Sequence, residues 1–588
     1  MRLGVDTGGT FTDAVVADGR IAKVLSARDD PARAVAHAIE TLAGASPPDV
    51  LAHGTTVATN ALLERRGARV ALVTTRGFAD VIEIARQHRP SLYDAFVDRP
   101  APLVPRAWRF EVDERLDADG SVLAAWNGAL PDVPAAVDAI AVSLLHADRN
   151  AEPERLVAES LRARGFDVTA SSEISPEFRE YERTVTAVVN AYLRPACTPY
   201  LERLGALASE VLVMTSAGGL VAVAYAEQAP ATLLLSGPAG GVRAAAEVAA
   251  ACGRPDAVTF DMGGTSTDVC LVRGGVPEPA PQRVVGGFPI RLPALDVHTI
   301  GAGGGSIARL DPGGALAVGP ESAGATPGPA CYGRGGTAPT VTDADLVLGR
   351  IDDQATFSDL GRLDARAARD ALRRAGAHAA GVVAVVDAAM EQAVRAVTVE
   401  RGVDPRGLAL VAFGGAGPLH ACAIADSLGM TAVLIPPRAG VGSAVGLLCS
   451  PRRQEVVRSI GADKLDDTLA NVARVARDRV GPDATVETAV DCRYVGQSHE
   501  ITVPTPEDFV REHERRNGHA RPGAPVEIVA VRARATAAAP HAVTDFPAVD
   551  RVRVRGPAIV AEPDCTVWIP DGWIAEPRAL GTWVLTRA

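Results

Sequence analysis

Apolar positions along the chain fall in two rhythms. Short aliphatic runs end on paired glycines, as in "RLGVDTGG" from residue 2 and "AVTFDMGG" from residue 257, and such runs predict strands entering tight turns. Elsewhere the apolar residues recur at helical spacing. In "LVAFGGAGPLHACAIADSLG" (410 to 429) a strand runs into Gly414, Gly415 and Gly417, and the helix that follows has a stop at Gly429. The stretch from about 150 to 195 is predicted helix-rich. Beyond residue 455 the pattern changes to alternating Val-rich segments such as "VEIVAVRARATA" and "RVRVRGPAIVAE", which predict strands with one exposed face.

The pattern contains a repeat. Residues 5 to 16, "VDTGGTFTDAVV", align without gaps to residues 260 to 271, "FDMGGTSTDVCL", with six of twelve positions identical. Each copy predicts a strand, a turn and a returning strand. In the turn, glycines let backbone N–H groups approach an anion, and threonine hydroxyls add donors. Aspartates beside a phosphate cradle make sense when a Mg²⁺ lies between them. One D-x-G-G-T turn can be only a turn. Two copies, far apart in the chain, predict two hairpins facing each other across a cleft, each holding one side of a nucleotide's phosphates.

Composition narrows the class. The chain has 588 residues, 47% hydrophobic and only 4% aromatic, with a net charge of −12. That length predicts several domains in a globular α/β protein, and scattered basic residues leave no footprint for nucleic acid. Asp6, Asp13 and Asp18 interrupt any signal-peptide core, and no long uncharged apolar run predicts a membrane span, so a cytoplasmic protein is expected. Eight well-separated cysteines contain no C-x-x-C pair and are expected as reduced thiols. Walker and G-x-G-x-x-G patterns are missing, which disfavours P-loop and Rossmann folds.

Paired phosphate hairpins with a downstream strand-glycine-helix element resemble the actin, sugar kinase and Hsp70 superfamily. The blocks "AHGTTVATNALLERRGARVALVTTRGFADVIEI" (52 to 84), "DVHTIGAGGGSIARLD" (296 to 311) and "GPESAGATPGPACYGRGGTAPTVTDADLVLGR" (319 to 350) resemble the hydantoinase A and 5-oxoprolinase family, to which acetone carboxylase β subunits are related. The resemblance runs from residue 1 to about 455. It implies an α/β, two-half actin-like ATPase fold: residues 1–205 as the first half, 206–455 as the second, and 456–588 as an added α+β or β-rich domain. It also implies ATP with Mg²⁺ or Mn²⁺, a small cyclic amide as substrate, a hydantoinase B type partner and a homo- or hetero-oligomer. A ketone carboxylase subunit and an ATPase that reactivates a partner enzyme use the same machinery and stay open.

Phosphoryl transfer asks for positioning and charge neutralisation. Thr7, Gly8, Gly9, Thr10 and Thr12 are candidates for the phosphates in the first hairpin, as are Gly263, Gly264 and Thr265 in the second. Asp6 is a candidate metal contact. Asp261 is either a second one or the group that orients the attacking oxygen. In "HGTTVATN", Thr55 or Thr56 can cap a helix, and the family block implies Thr55, Thr56 and Asn60 near substrate. Asp296 and His298 would share one strand face, with His298 a candidate acid–base group or ligand. Gly303 and Gly304, like Gly414, Gly415 and Gly417, let backbone approach the nucleotide. Cys331 is expected to be structural. Asp343 and Asp345 are expected to cap and charge a helix start, and residues 511 to 523 to form a solvated helix end.

Overall fold

The computed structural model describes residues 1–588 except 28, 29, 45, 355, 358, 359 and 461–464, with backbone alone at 356 and 357. Two large sheets repeat one plan. In the first, strand Arg2–Thr7 pairs antiparallel with Phe11–Val16, which pairs with Ile21–Leu25; on its other side Arg2–Thr7 runs parallel to Val50–Thr55, then Glu210–Met214 runs parallel and Leu220–Ala222 antiparallel. In the second, Ala257–Met262 pairs antiparallel with Thr267–Arg273, which pairs with Val276–Pro277. On its other side Ala409–Phe413 and Ala432–Ile435 run parallel and Trp583–Arg587 antiparallel. The echo visible in twelve residues therefore extends across six strands.

The central strands are buried on both faces, as parallel strands with covering helices must be. Helices Gly237–Ala251 and Gly442–Cys449 lock the halves together. A Cβ on Gly446 would lie 1.8 Å from the Gly240 carbonyl oxygen, and a Cβ on Gly4 would lie 2.3 Å from that of Ala444. Only glycine allows backbones this close. Helix Gly417–Leu428 ends on Gly429 in the left-handed conformation, as its sequence predicts.

A parallel four-stranded sheet, with Val70–Thr75, Arg109–Val112, Ala139–Ser143 and Asp167–Ala170, is inserted in the first half. Helix Glu180–Gly205 joins it to the main core and is buried on nearly every side from Glu182 to Leu193. The first sheet also takes in strands 210–214 and 220–222, beyond the expected boundary at 205. Residues expected to form one C-terminal unit divide between two places. Strands Arg453–Ser459, Thr485–Tyr494, Ile501–Val503 and Val526–Thr536 form an antiparallel sheet under helix Leu465–Val480, an α+β unit with its own core. Strands Val554–Arg555, Trp573–Pro577 and Trp583–Arg587 instead extend the second-half sheet. Their apolar faces complete that core, with Trp573 and Leu585 fully buried. The helix end near 513 is only partly solvated, because His513 packs against Tyr494 and Phe509. Among the described residues no helix is long and apolar enough to cross a membrane.

Candidate functional site

Both D-x-G-G-T segments form the same hairpin. Gly8 N–H donates to the Phe11 carbonyl at 3.0 Å, and Gly263 N–H donates to that of Ser266 at 3.0 Å. Cross-strand register sets Asp6 opposite Asp13 and Asp261 opposite Asp268, so each hairpin presents two carboxylates on one face. The tips meet: a Cβ on Gly264 would lie 2.5 Å from Thr10 Oγ1, and one on Gly9 would lie 3.2 Å from Thr265 Oγ1.

Between the hairpins lies a cavity of about 280 Å³, lined by Asp6, Asp13, Asp261 and Asp268. Gly8, Gly9, Thr10, Gly263, Gly264 and Thr265 also line it, as the sequence leads one to expect. The start of helix Gly237–Ala251 opens onto it, as does the Gly414–Gly415 turn that precedes helix Gly417–Leu428. Helix N-termini and turn amides of this kind attract phosphate. Its lining also has apolar side chains, Tyr332, Ile351, Leu363 and Leu419, of the kind that pack against a base and ribose.

The four carboxylates crowd one another. Burial, followed by the charges of Asp13 and Asp261, drives Asp6 well above the ordinary carboxylate range. Burial and then Asp268 raise Asp261 to about 7, and burial raises Asp268 to about 6. Burial also raises Asp13, against the pull of Lys23, whose Nζ donates to Asp13 Oδ1 at 2.7 Å and to the Gly440 carbonyl at 2.9 Å. Asp6 Oδ1 and Thr10 Oγ1 are buried with no hydrogen-bond partner. Gly54 and Gly414 leave room for two of these acids, since a Cβ there would meet Asp6 Oδ1 at 2.6 Å and Asp261 Oδ1 at 2.4 Å. An orphaned carboxylate oxygen among further acids fits a hard divalent cation, and the open glycine turns fit the phosphates it would bridge.

The remaining candidates divide. Thr56 and Gly304 line the cavity. Gly303 lies behind the second hairpin, where a Cβ would come within 2.8 Å of the Gly263 carbonyl oxygen, while Gly304 N–H donates to that oxygen at 3.0 Å. Gly417 packs beneath, facing the Phe260 carbonyl. Thr7 and Thr55 are buried and approach the Tyr200 hydroxyl, which lies 2.6 Å from His53 Nε2, and neither lines the cavity. Thr12 is buried with its Oγ1 3.0 Å from Ser26 Oγ. Asn60 is exposed, its Nδ2 donating to Thr56 Oγ1 at 3.3 Å, so it reaches the cavity only through Thr56.

His298 is not brought to the cavity. It pairs with Val269, while in the next pair along Asp268 lines the cavity and accepts from Thr299 Oγ1 at 2.5 Å. The period-two alternation turns His298 to the opposite face. Asp296 is tied to Arg401. Cys331 is buried, and burial together with Asp343 pushes its thiol up, away from reactivity. Thr340 caps the next helix, with Asp343 completing a capping box, while Asp345 approaches His420 Nε2 at 3.2 Å.

Sequence reasoning left Asp13, Asp268, Lys23 and the segment Glu562–Thr566 outside the site, and all of them line the cavity. Asp13 and Asp268 were signalled by the repeat itself. The C-terminal segment carries no such signal and arrives only because the last strands join the second sheet.

Residues 2–165 match the hydantoinase/oxoprolinase N-terminal region, and residues 183–456 match the hydantoinase/oxoprolinase model. Caprolactamase subunit alpha of Pseudomonas jessenii is 34% identical, with 100% of this chain and 99% of that protein aligned. The structure of the ATP-dependent caprolactamase from that organism superposes at a TM-score of 0.82 over 100% of both chains, at 31% identity. The 5-oxoprolinase of Saccharomyces cerevisiae is 33% identical over 76% of this chain but only 41% of its own length. A nucleotide-free acetone carboxylase structure, at 22% identity and a TM-score of 0.79, shares the fold. The architecture is accordingly the two-half, actin-like ATPase type with an extra domain.

Proposed function

The chain belongs to the hydantoinase/oxoprolinase family, and on that premise we propose that it is the ATP-using subunit of a cyclic amide hydrolase. In this reading the carbonyl oxygen of a lactam, hydantoin or 5-oxoproline attacks the γ-phosphorus of ATP. The bond to ADP breaks, and an O-phosphorylated imidate forms. Water then adds at the activated carbon, the ring C–N bond opens, and phosphate leaves.

The chemistry of the transfer is charge management. Backbone N–H groups of Gly8, Gly9, Gly263 and Gly264, with the hydroxyls of Thr10 and Thr265, would hold the phosphate oxygens. Asp6 and Asp261 would hold Mg²⁺ or Mn²⁺, which neutralises charge on the transferred group when bound. Thr56 and the start of helix Gly237–Ala251 border the end of the cavity where the amide oxygen would approach. The match to caprolactamase subunit alpha along its full length carries the choice of substrate class. That protein's name makes it one subunit among others, which supports a separate partner, in our reading of hydantoinase B type, in a hetero-oligomer.

The test is to co-purify the chain with its partner and measure ADP release against caprolactam, 5-oxoproline, hydantoin, and acetone with bicarbonate. Stimulation by a cyclic amide alone is the expected result. Stimulation only by ketone with bicarbonate would replace this reading with a carboxylase, and no stimulation by any of them would overturn it.

A further inference from the structure

A larger cavity, of about 1220 Å³, lies apart from the nucleotide site, between the inserted parallel sheet and the C-terminal α+β unit. Val168 and Thr169 come from one side, and Gln454 to Arg458 with Arg479 from the other. Segment 229–238 separates the two cavities: Ala229 and Thr232 face this one, while Gly237 and Pro238 face the hairpins.

Its charges do not balance. Each carboxylate that lines it already has an arginine: Asp148 has Arg183 at 2.9 Å, Asp167 has Arg194 at 2.9 Å, and Glu173 has Arg162 at 2.6 Å. Glu177 has Arg291 at 2.9 Å and Glu455 has Arg534 at 2.9 Å. Three lining guanidiniums are left over, Arg453, Arg458 and Arg479, and among the described residues none has a carboxylate partner. Arg479 lies over the Tyr225 ring at 5.7 Å. Arg458 and Arg479 are exposed, and water can satisfy them. Arg453 is different. Its Nε is buried without a partner, and burial, aided by Arg534, pushes its pKa down to about 10. Glu455 and Glu487 offset its charge only from a distance, and a buried N–H without a partner is costly unless a ligand completes it.

We propose that this cavity binds a small molecule through an oxyanion, a carboxylate or a phosphate group, with Arg453 as the principal contact and Arg458 and Arg479 at its rim. A planar fork of donors suits both groups, and a concave wall keeps them from bulk water. The claim does not depend on the lactam reading, because none of these residues belongs to the hairpins.

Calorimetric titration of the full chain with orthophosphate, and separately with 6-aminohexanoate, tests it and distinguishes a phosphate from a carboxylate ligand. At least one probe should bind, with affinity falling as salt rises, and Arg453→Gln should weaken it about tenfold, as the loss of one charge-assisted pair does. Because Arg453 is partly buried, the exposed pair Arg458→Gln/Arg479→Gln provides a second variant, expected to bind several-fold more weakly, and it decides the matter if Arg453→Gln fails to fold. Absence of binding up to about 10 mM for both probes, a regime below any specific site, would overturn the proposal. So would binding unchanged in the variants, since that would put the anion at the hairpins or elsewhere.

Discussion

Thr10 of the first hairpin packs against Gly264 of the second so closely that a Cβ on Gly264 would lie 2.5 Å from Thr10 Oγ1, whereas the mirror contact, Gly9 against Thr265, leaves 3.2 Å. Gly264→Ala must push a buried threonine aside, and Gly9→Ala needs only a small shift. Gly264→Ala is expected to destabilise the fold by about 1–3 kcal/mol, the usual range for overpacking, and Gly9→Ala by less. Adding Thr10→Ala should recover most of the Gly264→Ala loss. Urea denaturation of the four proteins measures this, and equal losses in the two glycine variants would refute the asymmetry.

The buried acids give the metal-free protein an unusual pH profile. Burial sets Asp261 at about 7 and Asp268 at about 6, both above the unfolded value of 3.8. Between those limits the folded state holds more protons than the unfolded state, so stability falls as pH rises from about 4 to 7. A cation bound by the ionised acids removes that penalty. Mg·ADP is therefore expected to raise the melting temperature more at pH 8 than at pH 5.5. An equal shift at the two pH values would show that these acids do not face the cation.

Asp6→Ala and Asp261→Ala are each expected to lower ATP turnover by about 10³-fold or more, the scale of losing a principal electrostatic contact to the transferred group. Neither should unfold the protein, because each removes a carboxylate whose charge is already disfavoured by burial. Single-turnover ADP release and circular dichroism separate the two effects. Turnover like that of the wild type in either variant would end the hairpin assignment.

The hairpins were legible because their chemistry is local: Asp6 and Gly8 lie within one turn, and the second copy repeats the spacing. Strand-glycine-helix order likewise gave Gly414, Gly415 and the stop at Gly429. Around His298 the sequence shows the alternation of its strand but not the face that its neighbour Thr267–Arg273 turns to the cavity. Thr55 turns inward to Tyr200, far along the chain, a contact that no local pattern announces. No local pattern marks Glu562 and Asp564, because long-range pairing of Trp583–Arg587 with Ala432–Ile435 carries that segment to the cavity between the hairpins.

Lys23 is one of only two lysines in a chain whose lysines and arginines total 59, and among the described residues it is the cation that lines the carboxylate cavity. It bridges Asp13 in the first half to the Gly440 carbonyl in the second, and Gly440 N–H in turn donates to Asp564 Oδ2 at 2.7 Å. Its side chain is 17% exposed and that of Asp13 18%, so removing one partner leaves a largely buried charge. Lys23→Met is expected to cost about 3 kcal/mol, and adding Asp13→Asn to recover much of it. Lys23→Arg keeps the charge but not the compact head, and should raise KM for Mg·ATP more than it lowers stability. Additive stability losses for Lys23→Met and Asp13→Asn would exclude the coupling.

His420, in the first turn of helix Gly417–Leu428, is held between Asp387 and Asp345, with Nδ1 at 2.7 Å from Asp387 Oδ1 and Nε2 at 3.2 Å from Asp345 Oδ2. Burial favours the neutral ring, but the two carboxylates outweigh it and raise the pKa from 6.5 to about 10. A folded pKa above the unfolded one gives stability that is complete below about pH 6.5 and lost as pH rises through 10. This window lies above that of the aspartate cluster, so the two can be measured apart. Wild-type stability in urea should fall between pH 7 and pH 8, below the range in which the buried cysteines titrate in the unfolded chain, whereas His420→Gln should be less stable at pH 7 and change less with pH over that interval. The helix begins directly after the Gly414–Gly415 turn, so the same variant is expected to raise KM for ATP while leaving untouched the acids we propose as metal ligands. A His420→Gln protein with the wild-type slope between pH 7 and pH 8 would mean that the ring is neutral in the fold and that the two carboxylates do not charge it.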